Sequence, residues 1–347
     1  MHSNAPRRRS HTMSVAGLAV CAALARTPSA HAQSIACGSV IGPNENVVLA
    51  GDLQCTHATG GITVIGPATL DLGGHHVTCA PETERSSGIV LAGKRAQLRN
   101  GSVVGCKAGV EVVGEGGHRI EQVTAAADVE AGFRVDSNGN TLRSDTGGGT
   151  TSGIDFVVRS DRNLLVGNTT AIDGLPPAPI GFRVVGSRNR LRGNTSANHR
   201  QFGFHLDFAS ERNVLHGNTA SGNGSSGIQV DGLRTSLTGN AVLANGHEGI
   251  LVNGSGARLT RNEVRDNGSS GIRLFQDVGD AVIAHNTVLG NDRRDLGESR
   301  CGVPRPARER RELAHRHRRR AALGQRGQQR ALEPGVGTQD HAAGMAE

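Results

Sequence analysis

The chain has no tryptophan, no tyrosine and only seven phenylalanines among its 347 residues. A globular core packed around aromatic rings is therefore not what this sequence builds, and a sugar groove lined with aromatic platforms has few residues to draw on. Long apolar runs are missing too. No segment reaches the roughly 20 apolar residues that a spanning helix needs. What is abundant is glycine, 50 residues of it, and apolar residues in short alternating groups.

The formal charge of +7 suggests an anionic partner until its distribution is read. Residues 1–32 hold four arginines and no acid, residues 301–347 hold ten arginines against five acids, and the stretch between them carries −2. Nucleic acid is thus not an expected partner of the body of the chain. Arg7, Arg8 and Arg9 precede an apolar stretch from about Met13 to Ala25 and the small-x-small site Ala30-His31-Ala32. That pattern is a signal peptide, with the mature chain expected to begin near Gln33 and to be secreted or periplasmic. Met13 as the start, or a lipoprotein signal at Leu18-Ala19-Val20-Cys21, are the alternatives. Disulfides are permitted in such a compartment. Cys37, Cys55, Cys79 and Cys106 cluster near the mature N-terminus, while Cys301 stands apart. Cys37 with Cys55 and Cys79 with Cys106 are the nearest pairs in sequence, but four cysteines allow three pairings.

From Gly61 to Gly271 a Gly-Φ-x-Φ unit recurs about every 22 residues. Examples are Gly109-Val110-Glu111-Val112, Gly132-Phe133-Arg134-Val135, Gly153-Ile154-Asp155-Phe156, Gly203-Phe204-His205-Leu206 and Gly249-Ile250-Leu251-Val252. One step is longer and contains Gly174-Leu175-Pro176-Pro177-Ala178-Pro179, a loop insertion. Apolar residues two apart mark strands with one face inward. A second short strand follows in most coils, as in Asn189-Arg190-Leu191-Arg192-Gly193-Asn194 and Asn213-Val214-Leu215-His216-Gly217-Asn218. Two or three short strands per repeat, without helical periodicity, make one turn of a parallel β-helix, here with about nine to ten coils. Stacking at about 4.8 Å places each residue on its counterpart, so the Ile, Val, Leu and Phe of successive repeats are expected to form apolar columns inside, with aliphatic ladders replacing the missing aromatics. Asn168, Asn194, Asn218, Asn240, Asn262 and Asn286 form one polar column, and Asn198, Asn223, Asn245, Asn267 and Asn291 another, both read as structural.

These repeats resemble the right-handed parallel β-helix proteins of the pectin-lyase-like superfamily, which include the periplasmic accessory protein of nitrous oxide reductase and carbohydrate-active relatives. The resemblance covers about residues 60–292. It implies an all-β solenoid over residues 33–296. It implies no particular activity, because the chain has no Asn-Thr-Asp run, no His-Gly pair beside paired aspartates and no Trp-x-Asp-His segment.

If Φ faces inward, x faces solvent, and that column includes Arg134, Asp155, Arg183, His205 and Gln229; two residues further on lie Asp207 and Asp231. Carboxylates on adjacent coils would lie about 5 Å apart, near the spacing of a retaining glycosidase pair, and such proximity would raise one pKa as a general acid requires. Asp155, Asp207, Asp231 and His205 are therefore the candidate catalytic residues, and Arg134, Arg183 and Gln229 the candidate substrate contacts. No cofactor is implied, although Asp207 and Asp231 could share Ca²⁺. The competing reading is that mixed charges on an exposed sheet provide solubility and cross-strand ion pairs. His75-His76 would point to opposite faces of a strand and so make no metal site on their own. Phe202, Phe208 and Phe275 are the aromatic residues that could face outward.

After about residue 296 the alternation stops and the chain becomes basic, with Arg305-Pro306-Ala307-Arg308 and His315-Arg316-His317-Arg318. This tail reads as disordered or as out-of-frame translation of a GC-rich gene. The function expected first is binding or modification of an extracellular polysaccharide by a secreted protein. A non-catalytic surface or scaffold protein is the alternative, and copper handling rests on fold analogy alone.

Overall fold

The computed structural model describes residues 31–33, 35–56, 60–80, 86–150, 153–170, 174–275 and 278–292. Residues 1–30, which hold most of the stretch expected to be a signal peptide, and Cys301, His315, His317 and the basic tail lie outside the described residues. So does most of the loop at 81–85.

Successive coils stack in parallel into an eleven-stranded sheet and a 21-stranded sheet, and no helix occurs among the described residues. The chain is a right-handed parallel β-helix. Its eleven-stranded sheet begins one coil before the sequence pattern does, with Val40–Ile41 paired to Thr63 and Val64.

One inward column decides the register. It runs Ile62, Ile89, Val110, Phe133, Phe156, Phe182, Phe204, Ile228, Ile250, Ile272, each on the next. All are at most 1% exposed. The four phenylalanine rings stack with centroids 4.5, 4.8 and 4.8 Å apart. The ladder is thus partly aromatic, and the expected column of Ile, Val and Phe is found with its phenylalanines in consecutive coils. Few rings are needed when in-register coils place them in one column.

This column also corrects the register of one coil. Gly153-Ile154-Asp155-Phe156 imitates the repeat, but Phe156 pairs with Phe133, so Asp155 occupies the glycine position and Val157 the outward one. Elsewhere that position needs glycine because the facing wall is close. A Cβ on Gly249 would sit 2.3 Å from Val264 Cγ1, and one on Gly227 2.5 Å from Val242 Cγ1. Facing Asp155 the wall has Gly147 instead, where a Cβ would meet Asp155 Cβ at 3.0 Å. The small residue has changed sides, and the pair still fits.

Three side-chain ladders run through the bends. In the first, Asn194, Asn218, Asn240, Asn262 and Asn286 each accept from the Nδ2 of the asparagine one coil before, at 2.9–3.0 Å, with Asn168 as the first donor. Backbone N–H groups reach the same oxygens at 2.9–3.0 Å. In the second, Asn223, Asn245, Asn267 and Asn291 repeat the pattern. Asn198 is not its first member: it is an exposed left-handed turn residue, φ 59°, and His199 donates its backbone N–H to Asn223. A third ladder, Asn140, Asn163, Asn189 and Asn213, continues below into His118.

Asp145 stands in the first ladder below Asn168: its N–H donates to Asn168 Oδ1, and its Oδ1 accepts from Val123 N–H. Oδ2 therefore takes the place of an amide Nδ2, buried and without a partner. Burial pushes this carboxyl up to about 8, against hydrogen bonds from the Val123 and Arg143 backbone. At neutral pH it is a protonated acid standing in for asparagine.

Two disulfides close the N-terminal coils, Cys37–Cys55 and Cys79–Cys106, with Cα separations of 5.3 and 5.0 Å. They select the sequence-nearest pairing.

Asn218→Ala strips an acceptor from both Asn194 groups that donate to it and is expected to cost about 1–3 kcal/mol, against under about 0.5 kcal/mol for exposed Arg192→Ala; equal denaturant midpoints would refute the ladder's role. Asp145→Asn gives a pH signature. The folded pKa is raised above the unfolded one, so the parent's stability is intact below about pH 4 and is lost as pH rises through about 8. The variant should match the parent at pH 4 and exceed it at pH 8 by on the order of 1–3 kcal/mol, read from urea unfolding at both pH values.

Candidate functional site

The outward face of the eleven-stranded sheet follows from the corrected register. Glu111, Arg134, Val157, Arg183, His205, Gln229, Leu251 and Arg273 form one column. Backbone bonds align Asp136, Arg159, Val185, Asp207, Asp231, Asn253 and Phe275 beside it. Arg134, Arg183, His205, Gln229, Asp207 and Asp231 thus share one face, as the sequence pattern predicts. Asp155 does not: it is fully buried on the inner side, because it holds the glycine position.

Each carboxylate of the face is claimed by a neighbouring coil. Arg183 donates from Nη2 to Asp207 Oδ2 at 2.7 Å and from Nε at 3.2 Å. Arg134 reaches Glu111 at 2.7 Å and Asp136 at 3.0 Å. Asp231 is the most enclosed, its side chain 1% exposed. It receives His205 Nε2 at 2.8 Å, Gln229 Nε2 at 3.0 Å and Asn253 Nδ2 at 2.5 Å. His205 Nδ1 has no partner and is closed off from solvent, and the Phe202 ring lies 5.2 Å from the imidazole.

Burial opposes ionisation of both aspartates, yet both are held below the usual carboxylate range. For Asp207 the Arg183 hydrogen bond and charge outweigh burial; for Asp231 the bonds from His205, Gln229 and Asn253 do so. The expected raised carboxyl is therefore not on this face. Instead of repelling one another across adjacent coils, the two acids each have a donor on the preceding coil. Among the described residues no three acidic, histidine or cysteine side chains converge to hold a metal ion.

Asp155 belongs to a second cluster. Its Oδ1 accepts from Thr150 Oγ1 at 2.6 Å, while its Oδ2 faces His199 Nδ1 at 3.8 Å, neither atom having a hydrogen-bond partner. Ser196 Oγ donates to the Gly203 carbonyl and accepts from Thr170 Oγ1 at 3.0 Å, so Thr170 accepts from His199 Nε2–H at 2.7 Å. Nδ1 of the neutral imidazole is consequently a bare acceptor. Burial pushes Asp155 up to about 7 and His199 down to about 4. The pair underlies a cavity of about 170 Å³ roofed by Leu175, Pro176 and Pro177 of the insertion. His199 was not legible as a partner because its column reads as asparagines in the coils above.

A family model described as "Periplasmic copper-binding protein (NosD)" matches residues 130–295. No curated protein matches in sequence. Among solved structures, the periplasmic alginate epimerase AlgG superposes with a TM-score of 0.52 at 13% identity, over 74% of this chain and 79% of that one. The Azotobacter vinelandii mannuronan C-5 epimerase AlgE4 A-module gives 0.50 at 14%, over 75% and 88%. The catalytic domain of a GH87 α-1,3-glucanase in complex with nigerose gives 0.53 at 15%, over 75% and 58%. At such identities the likeness is one of fold, that of a parallel β-helix.

The two carboxylates of the face should separate on mutation. Asp231→Ala leaves three donors without an acceptor and is expected to cost about 1–3 kcal/mol, whereas Asp207→Ala loses one half-exposed ion pair and about 1 kcal/mol or less. Thermal unfolding of both variants measures this, and a larger loss for Asp207→Ala would contradict the assignment.

Proposed function

We propose that this chain is a secreted or periplasmic protein that binds and modifies an extracellular polysaccharide on the outward face of its eleven-stranded sheet. The observation that carries this reading is the His205–Asp231 contact, supported by Gln229 and Asn253 and flanked by Arg183–Asp207. The N-terminal signal pattern and the activities of the epimerases and the glucanase that share the fold support the same reading. Phe208 and Phe275, 74% and 52% exposed, offer apolar surface beside Asp207 and Asn253.

Two-carboxylate hydrolysis needs a carboxyl that is protonated near neutral pH. Asp207 and Asp231 are held ionised, so proton abstraction suits the face better. In that chemistry Asp231 holds Nε2–H of His205, leaving Nδ1 as the base, and Arg183 supplies positive charge for a uronate carboxylate. One observation favours the alternative of a non-catalytic surface protein: His205 Nδ1 is enclosed and the carboxylates already have partners.

A panel of uronate-containing and neutral polysaccharides decides between them. The expected result is epimerised or unsaturated uronate, seen by NMR and ultraviolet absorbance, without hydrolytic chain ends and reduced at least about 100-fold by His205→Ala. Binding without product would favour the surface protein. Neither product nor binding, with Asp207→Ala and Asp231→Ala behaving as the parent, would overturn the polysaccharide reading.

A further inference from the structure

The near-neutral charge of the coils conceals a segregated patch on another side of the solenoid. At the bend that enters the 21-stranded sheet, backbone bonds align Arg162 on Arg188, Arg188 on Arg212 and Arg212 on Arg234 in four consecutive coils. All four are exposed and left-handed, with φ of 58°, 58°, 57° and 52°. The same column holds Gly117 and Gly139 below and Gly256 above. Glycine is thus accommodated at this bend and adopts the conformation without penalty, whereas each arginine adopts it at a conformational cost.

Stacking like charges about 4.8 Å apart adds repulsion. Only Glu211 offsets it, contacting Arg234 and, at 3.6 Å, Arg212. Asp161, the other acid at the bend, accepts the Ser187 backbone N–H at 2.7 Å. Arg162 and Arg188 have no acidic partner among the described residues, nor do Arg190 and Arg192, which point outward from the adjoining strand. Four consecutive coils therefore carry a conformational and an electrostatic cost whose common product is a row of exposed arginines along the solenoid axis, in which one acid, Glu211, serves two of the four.

We infer that this arginine ladder is a docking track for a linear carboxylated polysaccharide lying along the axis, one uronate per coil. The coil rise of about 4.8 Å is comparable to the length of one pyranose residue in an extended chain. The planar guanidinium fork matches a carboxylate in two parallel hydrogen bonds. Duplex DNA presents phosphates at about 3.4 Å per strand, out of step with the coils. Single-stranded nucleic acid is normally held by aromatic stacking, and none of the ladder's positions is aromatic. The track lies apart from the His205–Asp231 face, and the inference does not require that face to be catalytic.

The experiment uses the full chain and its Arg162→Gly/Arg188→Gly/Arg212→Gly/Arg234→Gly variant, titrated with polygalacturonate, dextran, duplex DNA and anionic phospholipid vesicles. The parent should bind polygalacturonate in a salt-sensitive manner and dextran not at all. The glycine variant should lose at least ten-fold in affinity and much of the salt sensitivity, with an unchanged or higher melting temperature. Replacing the four arginines with lysine keeps the charge but removes the bidentate fork, and should keep the salt sensitivity while weakening the affinity less than the glycine variant does. The inference is overturned if the parent does not bind polygalacturonate, if the glycine variant binds equally, or if DNA or vesicles displace the polyuronate. A parent that binds through the ladder but modifies no polysaccharide would sink the catalytic reading of the other face and leave this one standing.

Discussion

In-register stacking of coils at about 4.8 Å is the constraint from which the rest follows. A residue here has its counterpart one coil away as its nearest non-local neighbour, so like is placed on like. For apolar side chains this is favourable without special arrangement, and phenylalanine gains ring stacking as well. For asparagine it is better still, because one amide both donates and accepts and can extend a ladder indefinitely. For ionised groups the same stacking is repulsive unless signs alternate.

The buried acids show how the solenoid handles that last case. Asp145 sits in an asparagine column and Asp155 in a glycine column, and both are pushed toward the neutral form by burial. On the solvent face the answer is different: Arg183 with Asp207 and Arg134 with Glu111 pair opposite signs across adjacent coils, and His205 gives Asp231 a hydrogen bond. The four arginines at the bend obey neither rule. They are stacked, of one sign and conformationally costly, with one acid, Glu211, beside Arg212 and Arg234 and none beside Arg162 and Arg188 among the described residues.

The coil containing Asp155 is where the regular pattern is most disturbed. Gly147 replaces a larger wall residue, the insertion enters next, and His199 interrupts an asparagine column. These departures lie on neighbouring coils, so compensation for one is available from the next. The result is a buried acid and a bare imidazole nitrogen under a small cavity, held by threonine and serine hydroxyls whose donors run in one direction.

The amino-acid pattern alone determined the solenoid, its coil length, the inward apolar column, most of two asparagine ladders and the outward placement of Arg134, Arg183, His205, Gln229, Asp207 and Asp231. Period-two alternation and a constant repeat carry that information locally. Tertiary structure alone decided the disulfide pairing, the extra coil at Val40–Ile41, the inward position of Asp155 and the arginine ladder. Each depends on which coil residue stacks on which, and a two-residue slip such as Gly153-Ile154-Asp155-Phe156 preserves alternation while moving the whole unit along its strand. Only the phenylalanine stack and the space opened by Gly147 distinguish the two registers, and both are contacts between segments distant in sequence.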